Sequence, residues 1–220
     1  MQIEFDHVST ESGMRDFSLK FELKKTTVLF DPCEDLSRLI LSVLVGLEPI
    51  LDGALRIGGI AFDDYFAGRA IPQVFGHVFN EGIMLSNLSL RENLLLPYRW
   101  FNPNQDSSVF DREVKSLMEL FSLKLDLGSR PSLHRPAPLK MLSYVRTILL
   151  KPQILMIDDP YYLLNKSERA TMLRGLTQMK ENMVMLIASA DDDFTSGFAK
   201  EVIDLSDFCK AISPDPTAKA

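Results

Sequence analysis

The chain has 220 residues, 46% hydrophobic and 25% charged, enough for one sizeable domain with at most a small inserted subdomain. A formal net charge of −6 and a pI near 5.1 argue against nucleic acid or an anionic membrane surface as the main partner. Two cysteines, Cys33 and Cys209, make no disulfide framework and, with three histidines, no zinc pattern, so both read as reduced thiols.

The opening run, MQIEFDHVS, lacks the charged and apolar regions of a signal peptide, and no apolar stretch approaches the ~20 residues of a membrane span. Instead, residues 2–8 alternate apolar and polar side chains, as a half-buried strand does, and Phe17–Leu23 repeats the pattern. Thr27–Phe30 is a short buried strand. A polar turn, Asp31–Asp35, follows, and Leu36–Leu47 then carries apolar residues at helical spacing. Strand, tight loop and helix form the βα unit on which phosphate-binding loops are built. Further on, Gly58-Gly59 marks a strand–turn–strand, Val74–Phe79 a buried strand, and Val109–Leu123 a helix capped by Ser107-Ser108. Trp100 and Phe101 anchor the polar loop that precedes that helix. A helix over Leu139–Leu150 leads to an apolar strand, ILMIDDP, that ends in Asp158 and Asp159. A last buried strand in VMLIASADDD runs into a solvated acidic turn, Asp191–Asp193. Phe198–Phe208 adds a final strand and turn, and residues 209–220 read as a loose tail.

Several of these stretches, in one continuous register over about residues 1–208, resemble the ATPase subunits of ABC transporters. Val43–Gly53 looks like the segment after the family's Walker A loop, which places Asp31–Leu39 where the family has G-x-x-x-x-G-K-[ST] and one further residue. That loop works because its glycines let amide N–H groups close around phosphates, its Lys neutralises charge and its hydroxyl holds Mg²⁺. Here Asp31 and Leu36 replace the two required glycines, Glu34 the middle one, Ser37 the Lys and Arg38 the hydroxyl, with Leu39 after them. Each of Asp31, Glu34 and Asp35 would repel a phosphate charge ~6 Å away by about 2–3 kcal/mol at an effective dielectric near 20. Arg38 offsets one of them, and the loop is expected to reject ATP.

The other family motifs are altered in the same sense. Ser12 stands where an aromatic would stack on adenine, and Asn80 replaces the Gln that touches metal and water. His134, Arg135, Pro136, Ala137 and Pro138 occupy the five signature positions, where two prolines delete N–H donors and stiffen the loop. His134 invites a catalytic reading, but no nucleophile or metal partner accompanies it. Asp158 keeps the Walker B metal position, and Asp159, one C–C bond shorter than Glu, holds the catalytic one. Asn165 replaces the D-loop Asp and Ala190 the switch His. By contrast, Gly82–Arg99, GIMLSNLSLRENLLLPYR, resembles lipid-trafficking members of the maintenance-of-lipid-asymmetry (Mla/Mce) type. In the family this stretch borders the groove that receives the permease, so exposed Ile83, Met84 and Leu85 would suit partner binding.

The resemblance implies an α/β ABC-ATPase-like (P-loop NTPase) fold, with N-terminal antiparallel strands, a mainly parallel core sheet and a helical subdomain over about residues 82–150. It implies a catalytically inactive subunit that serves as a structural or regulatory part of a lipid-type ABC transporter. No cofactor is expected, with ATP and Mg²⁺ entering only if the chain is instead a weak or unconventional ATPase working with a partner subunit. A free-standing binding module for another ligand is a third reading. The implied partners are a transmembrane permease and a second ATPase subunit, in a homodimer or a heterodimer. The implied location is cytoplasmic, peripheral on the inner membrane.

Overall fold

The computed structural model describes residues 1–211, with side chains through Phe208. Among the described residues, nine strands form two sheets. β1 (Gln2–Thr10) and β2 (Phe17–Glu22) are antiparallel, and their alternating burial matches the alternating sequence. β3 (Thr27–Phe30) leads through a tight loop into α1 (Asp35–Leu44), which stops three residues short of the stretch read as helical. β4 (Ile50–Ile57) and β5 (Ile60–Ala61) form a hairpin whose turn residues, Gly58 and Gly59, both have positive φ, as such a two-residue turn requires. The first sheet has the order β2-β1-β4-β5.

Two short helices, α2 (Phe62–Phe66) and α3 (Ile71–Val74), lead to β6 (Phe75–Val78). α4 (Leu90–Phe101) opens with a capping box between Ser89 and Glu92. α5 (Ser107–Leu120) is capped by Asp106, whose Oδ1 accepts the Ser108 N–H at 2.7 Å, not by the serines after it. α6 (Pro136–Ile148) precedes β7 (Ile154–Asp158), α7 (Lys166–Met179) and β8 (Val184–Ser189). α8 (Asp192–Phe198) and β9 (Glu201–Asp204) follow, and the backbone then makes a 3-10 turn over Ser206–Ala211. That turn enters the stretch assigned to a tail, whose remaining residues, 212–220, lie outside those described. So does the Cys209 side chain.

The second sheet is parallel throughout, in the order β6-β7-β8-β3-β9. Its inner strands are apolar along most of their length, with polar residues only at their ends (Thr27, Asp158, Ser189), because both faces are covered. Ile154, Met156 and Leu186 face the first sheet and α1. Leu155, Ile157 and Ile187 face α4–α8. Each such side chain, fully removed from water, contributes about 1.5–3 kcal/mol. The carboxyl ends of β3, β7 and β8 meet at one edge, and the residues singled out from the sequence gather there.

Candidate functional site

The loop after β3 is built around Asp31. Its side chain is fully buried and turned into the loop, where Oδ1 accepts the Cys33 N–H at 3.1 Å and Oδ2 the Ser37 N–H at 2.8 Å. The expectation that Asp31 faces outward as a repelling charge is therefore corrected: its carboxylate already occupies loop amides that an anion would need. Glu34 takes the position before α1 in the left-handed region (φ 64°) without a side-chain bond to the helix, and, like Asp35, it is exposed. Cys33 is disulfide-bonded, which corrects its reading as a reduced thiol. Leu36 is buried as the first apolar side chain of α1, and Leu39 is half-buried beside Ile40.

Arg38 does not offset the loop carboxylates. Its Nε donates across the corner to Asp158 Oδ2 at 3.2 Å. Asp158 is 5% exposed at the end of β7, and burial pushes its carboxyl up against the pull of Arg38 and Lys140. Asp159 adopts a positive φ of 38°, and its Oδ1 accepts the N–H groups of Tyr161 and Tyr162 at 2.9 and 3.1 Å. The Asp159 carboxylate thus caps its own turn through Oδ1. Lys140, a fully buried residue of α6, donates from Nζ to the Asp159 carbonyl. Burial lowers its ammonium to about 8, with Asp159 and Asp158 pulling the other way.

Glu34, Ser37, Arg38, Asp158, Asp159 and Ala190 line one small cavity of about 10 Å³. That is the room of one water. A metal–triphosphate does not fit the corner as built: Asp31 takes the Ser37 amide, Arg38 takes Asp158, and the cavity has no space for a phosphate chain. At the β8 end, Ser189 Oγ accepts the Asp191 N–H at 3.1 Å, and Asp191 Oδ1 caps α8 by accepting the Phe194 N–H at 2.7 Å. Asp191–Asp193 is therefore a helix start and not a free acidic turn.

The signature positions do not join this cavity. Pro136 and Pro138 lie in the first turn of α6, where no intrahelical N–H bond is required, so they begin the helix rather than stiffen a loop. Ala137 is buried, and Arg135 Nη2 pairs with Glu168 Oε1 at 2.9 Å. His134 has a partner after all: its Nε2 lies 2.5 Å from Ser129 Oγ, a local tie within the loop. Asn165 caps α7 by accepting the Ser167 and Glu168 N–H groups at 3.0 Å each. Ser12 is engaged by Glu48, which accepts its N–H at 2.9 Å and its hydroxyl at 2.7 Å. Asn80 is half-buried just past β6.

The loop at 82–88 is held through its backbone. Asn93, buried in α4, accepts the Leu85 N–H at 2.7 Å and donates to the Leu85 and Ser89 carbonyls at 3.1 and 2.9 Å. Arg146 donates to the Ile83 carbonyl at 2.8 Å. A Cβ at Gly82 would come within 2.2 Å of the Lys140 backbone nitrogen, so only glycine lets the loop press this closely on α6. Ile83 and Leu85 project outward, 60% and 51% exposed. Met84 does not: it is half-buried against the core, with Sδ beside Arg146. Trp100, expected to anchor the next loop, is 81% exposed.

Sequence reasoning missed Lys140, Asn93 and the turn-capping role of Asp159. A single lysine within the apolar run of α6 is the signal that could have flagged the first.

Among family models, none matches the chain. It is 27% identical over 216 residues to the sulfate/thiosulfate import ATP-binding protein CysA 2 of Agrobacterium fabrum, covering 94% of this chain and 60% of that one. It is 24% identical over 212 residues to the glutamine transport ATP-binding protein GlnQ of Escherichia coli, covering 91% of this chain and 86% of that one. The structure superposes on a dimeric ATP-binding cassette, MJ0796, bound to ADP and Pi, with a TM-score of 0.79 at 15% identity, covering 94% of this chain and 95% of the other. The fold is that of ABC ATPases.

Proposed function

We propose that this chain, an ABC-ATPase fold with relatives among import ATP-binding proteins, is a non-hydrolysing subunit of an ABC transporter. It acts as a structural or regulatory partner of a transmembrane permease and of a second ATPase subunit, on the cytoplasmic face of the membrane. The observation that carries this reading is the corner itself. Arg38 holds Asp158 at 3.2 Å, the Asp31 carboxylate fills the loop amides, and about 10 Å³ remains. The lipid-transport branch rests on the outline of Gly82–Arg99, whereas the named relatives are a sulfate/thiosulfate import and a glutamine transport ATP-binding protein. Among the described residues no helix is long and apolar enough to cross a membrane.

The test is the melting temperature with and without Mg-ATP. A site with a dissociation constant of about 10 μM would gain about 2.7 kcal/mol at about 1 mM ligand, a rise of roughly 5–11 °C for a domain of this size. We expect no shift. A clear shift would favour the second reading, a weak ATPase, for which the retained Asp158 and Asp159 and the ATP-binding relatives speak.

A further inference from the structure

The disagreement between this corner and a metal–nucleotide site has a constructive side. We infer that Arg38 and Lys140 form a ligand-free strap across the strand-end corner, holding α6 and, through it, the 83–85 loop in place. The strap has two links. Arg38 of α1 reaches Asp158 at the end of β7 over 120 residues of sequence, and Lys140 of α6 reaches the Asp159 carbonyl in the turn just beyond. A single turn of chain, 158–159, therefore ties α1 to α6.

From α6 the path continues by contact. The Lys140 backbone is what Gly82 presses on, and Arg146, two turns further along α6, holds the Ile83 carbonyl. α6 is thus fixed at the corner by its lysine and carries the loop on its outer side. Two resident cations meet the strand-end carboxylate and the strained turn beside it, so the loop has its shape without any bound ligand. Because the cations are covalent parts of the chain, the arrangement does not switch with nucleotide or metal. This deepens the reading of a non-hydrolysing subunit and rests on it for its meaning, but the strap is testable in the isolated protein.

The experiment is hydrogen exchange of the isolated chain without nucleotide, comparing wild type with Arg38→Met and Lys140→Met. The reporters are the Ile83 and Leu85 amides, bonded to the Glu81 carbonyl and to Asn93 Oδ1. Amides in the β1–β4 pairing serve as the internal reference. The strap predicts at least about tenfold faster exchange at Ile83 and Leu85 in both variants, with the reference amides unchanged. Unchanged exchange at the two reporters would overturn it. Should either variant fold poorly, the melting temperatures of Arg38→Lys, Asp158→Asn and their combination decide. A strap predicts that the double variant melts within about 2 °C of the worse single one, and additive losses would overturn it. Mg-ATP binding by the wild type would sink the functional reading alone, and additive or silent variants would sink the strap alone.

Discussion

Two regions of this molecule treat their polar groups in opposite ways. At the strand-end corner everything is turned inward: Asp31 onto its own loop, Arg38 onto Asp158, Asp159 onto its own turn. At the 82–88 loop the backbone is tied down by Asn93 and Arg146 while Ile83 and Leu85 point away from the protein. A region that satisfies itself has nothing to offer a ligand. A region whose frame is rigid and whose apolar side chains are exposed loses little entropy when a partner covers it. This contrast is the reason we propose the loop as the surface that meets a partner.

The largest expected effect breaks the contrast directly. Ile83→Asp or Leu85→Asp should weaken capture of a co-expressed permease by roughly five- to 150-fold, the range for truncating a buried interface anchor. Glu34→Gly and Ser37→Lys should leave capture unchanged. Equal retention of all four variants in a pull-down would place the interface elsewhere. Met84→Asp should instead lower stability, since that side chain packs on the core.

A second effect sharpens the picture of the corner. Lys140 titrates at about 8 in the folded chain and near 10.5 when unfolded, so between these values the unfolded state holds more protons. Stability should rise across that window by on the order of 3 kcal/mol, and Lys140→Met should remove the rise. Asp158 and Asp159 oppose the shift, and the Lys140 ammonium lies over the Tyr162 ring, 5.6 Å from its centroid. Denaturant titrations at several pH values measure it, and a flat wild-type profile would contradict the buried charge.

Next, Asn93→Ala removes the four hydrogen bonds its side chain makes to the backbone of Leu85, Leu88 and Ser89. A loss of about 2 kcal/mol, or about 4–8 °C in melting temperature, is expected. The smallest effect belongs to Asp159→Asn. An amide oxygen still accepts the Tyr161 and Tyr162 N–H groups, so stability should change by under about 0.5 kcal/mol and transport by the complex should not change. A tenfold fall in transport with the complex intact would mean that the carboxylate does chemistry.

The sequence by itself determined the frame. Alternation set β1 and β2, unbroken apolar runs set β3, β7 and β8, and a strand followed by a tight polar turn and a helix set the βα unit. These are local signals, written in the periodicity of neighbouring residues. It also named the residues of the turn after β3. Only the tertiary structure decided their contacts. The partners of Arg38 and Lys140 lie 120 and 19 residues away, and no local pattern says which of several carboxylates a cation will meet. Pro136 and Pro138 read in the sequence as deleting N–H donors and stiffening a loop, yet an α-helix has no use for N–H groups in its first turn, so α6 begins on them. Asp31 reads in the sequence as a charge that repels phosphate, because composition carries a residue's charge but not its direction. Folding buried it, and a buried carboxylate must find donors, which the loop's own amides supplied.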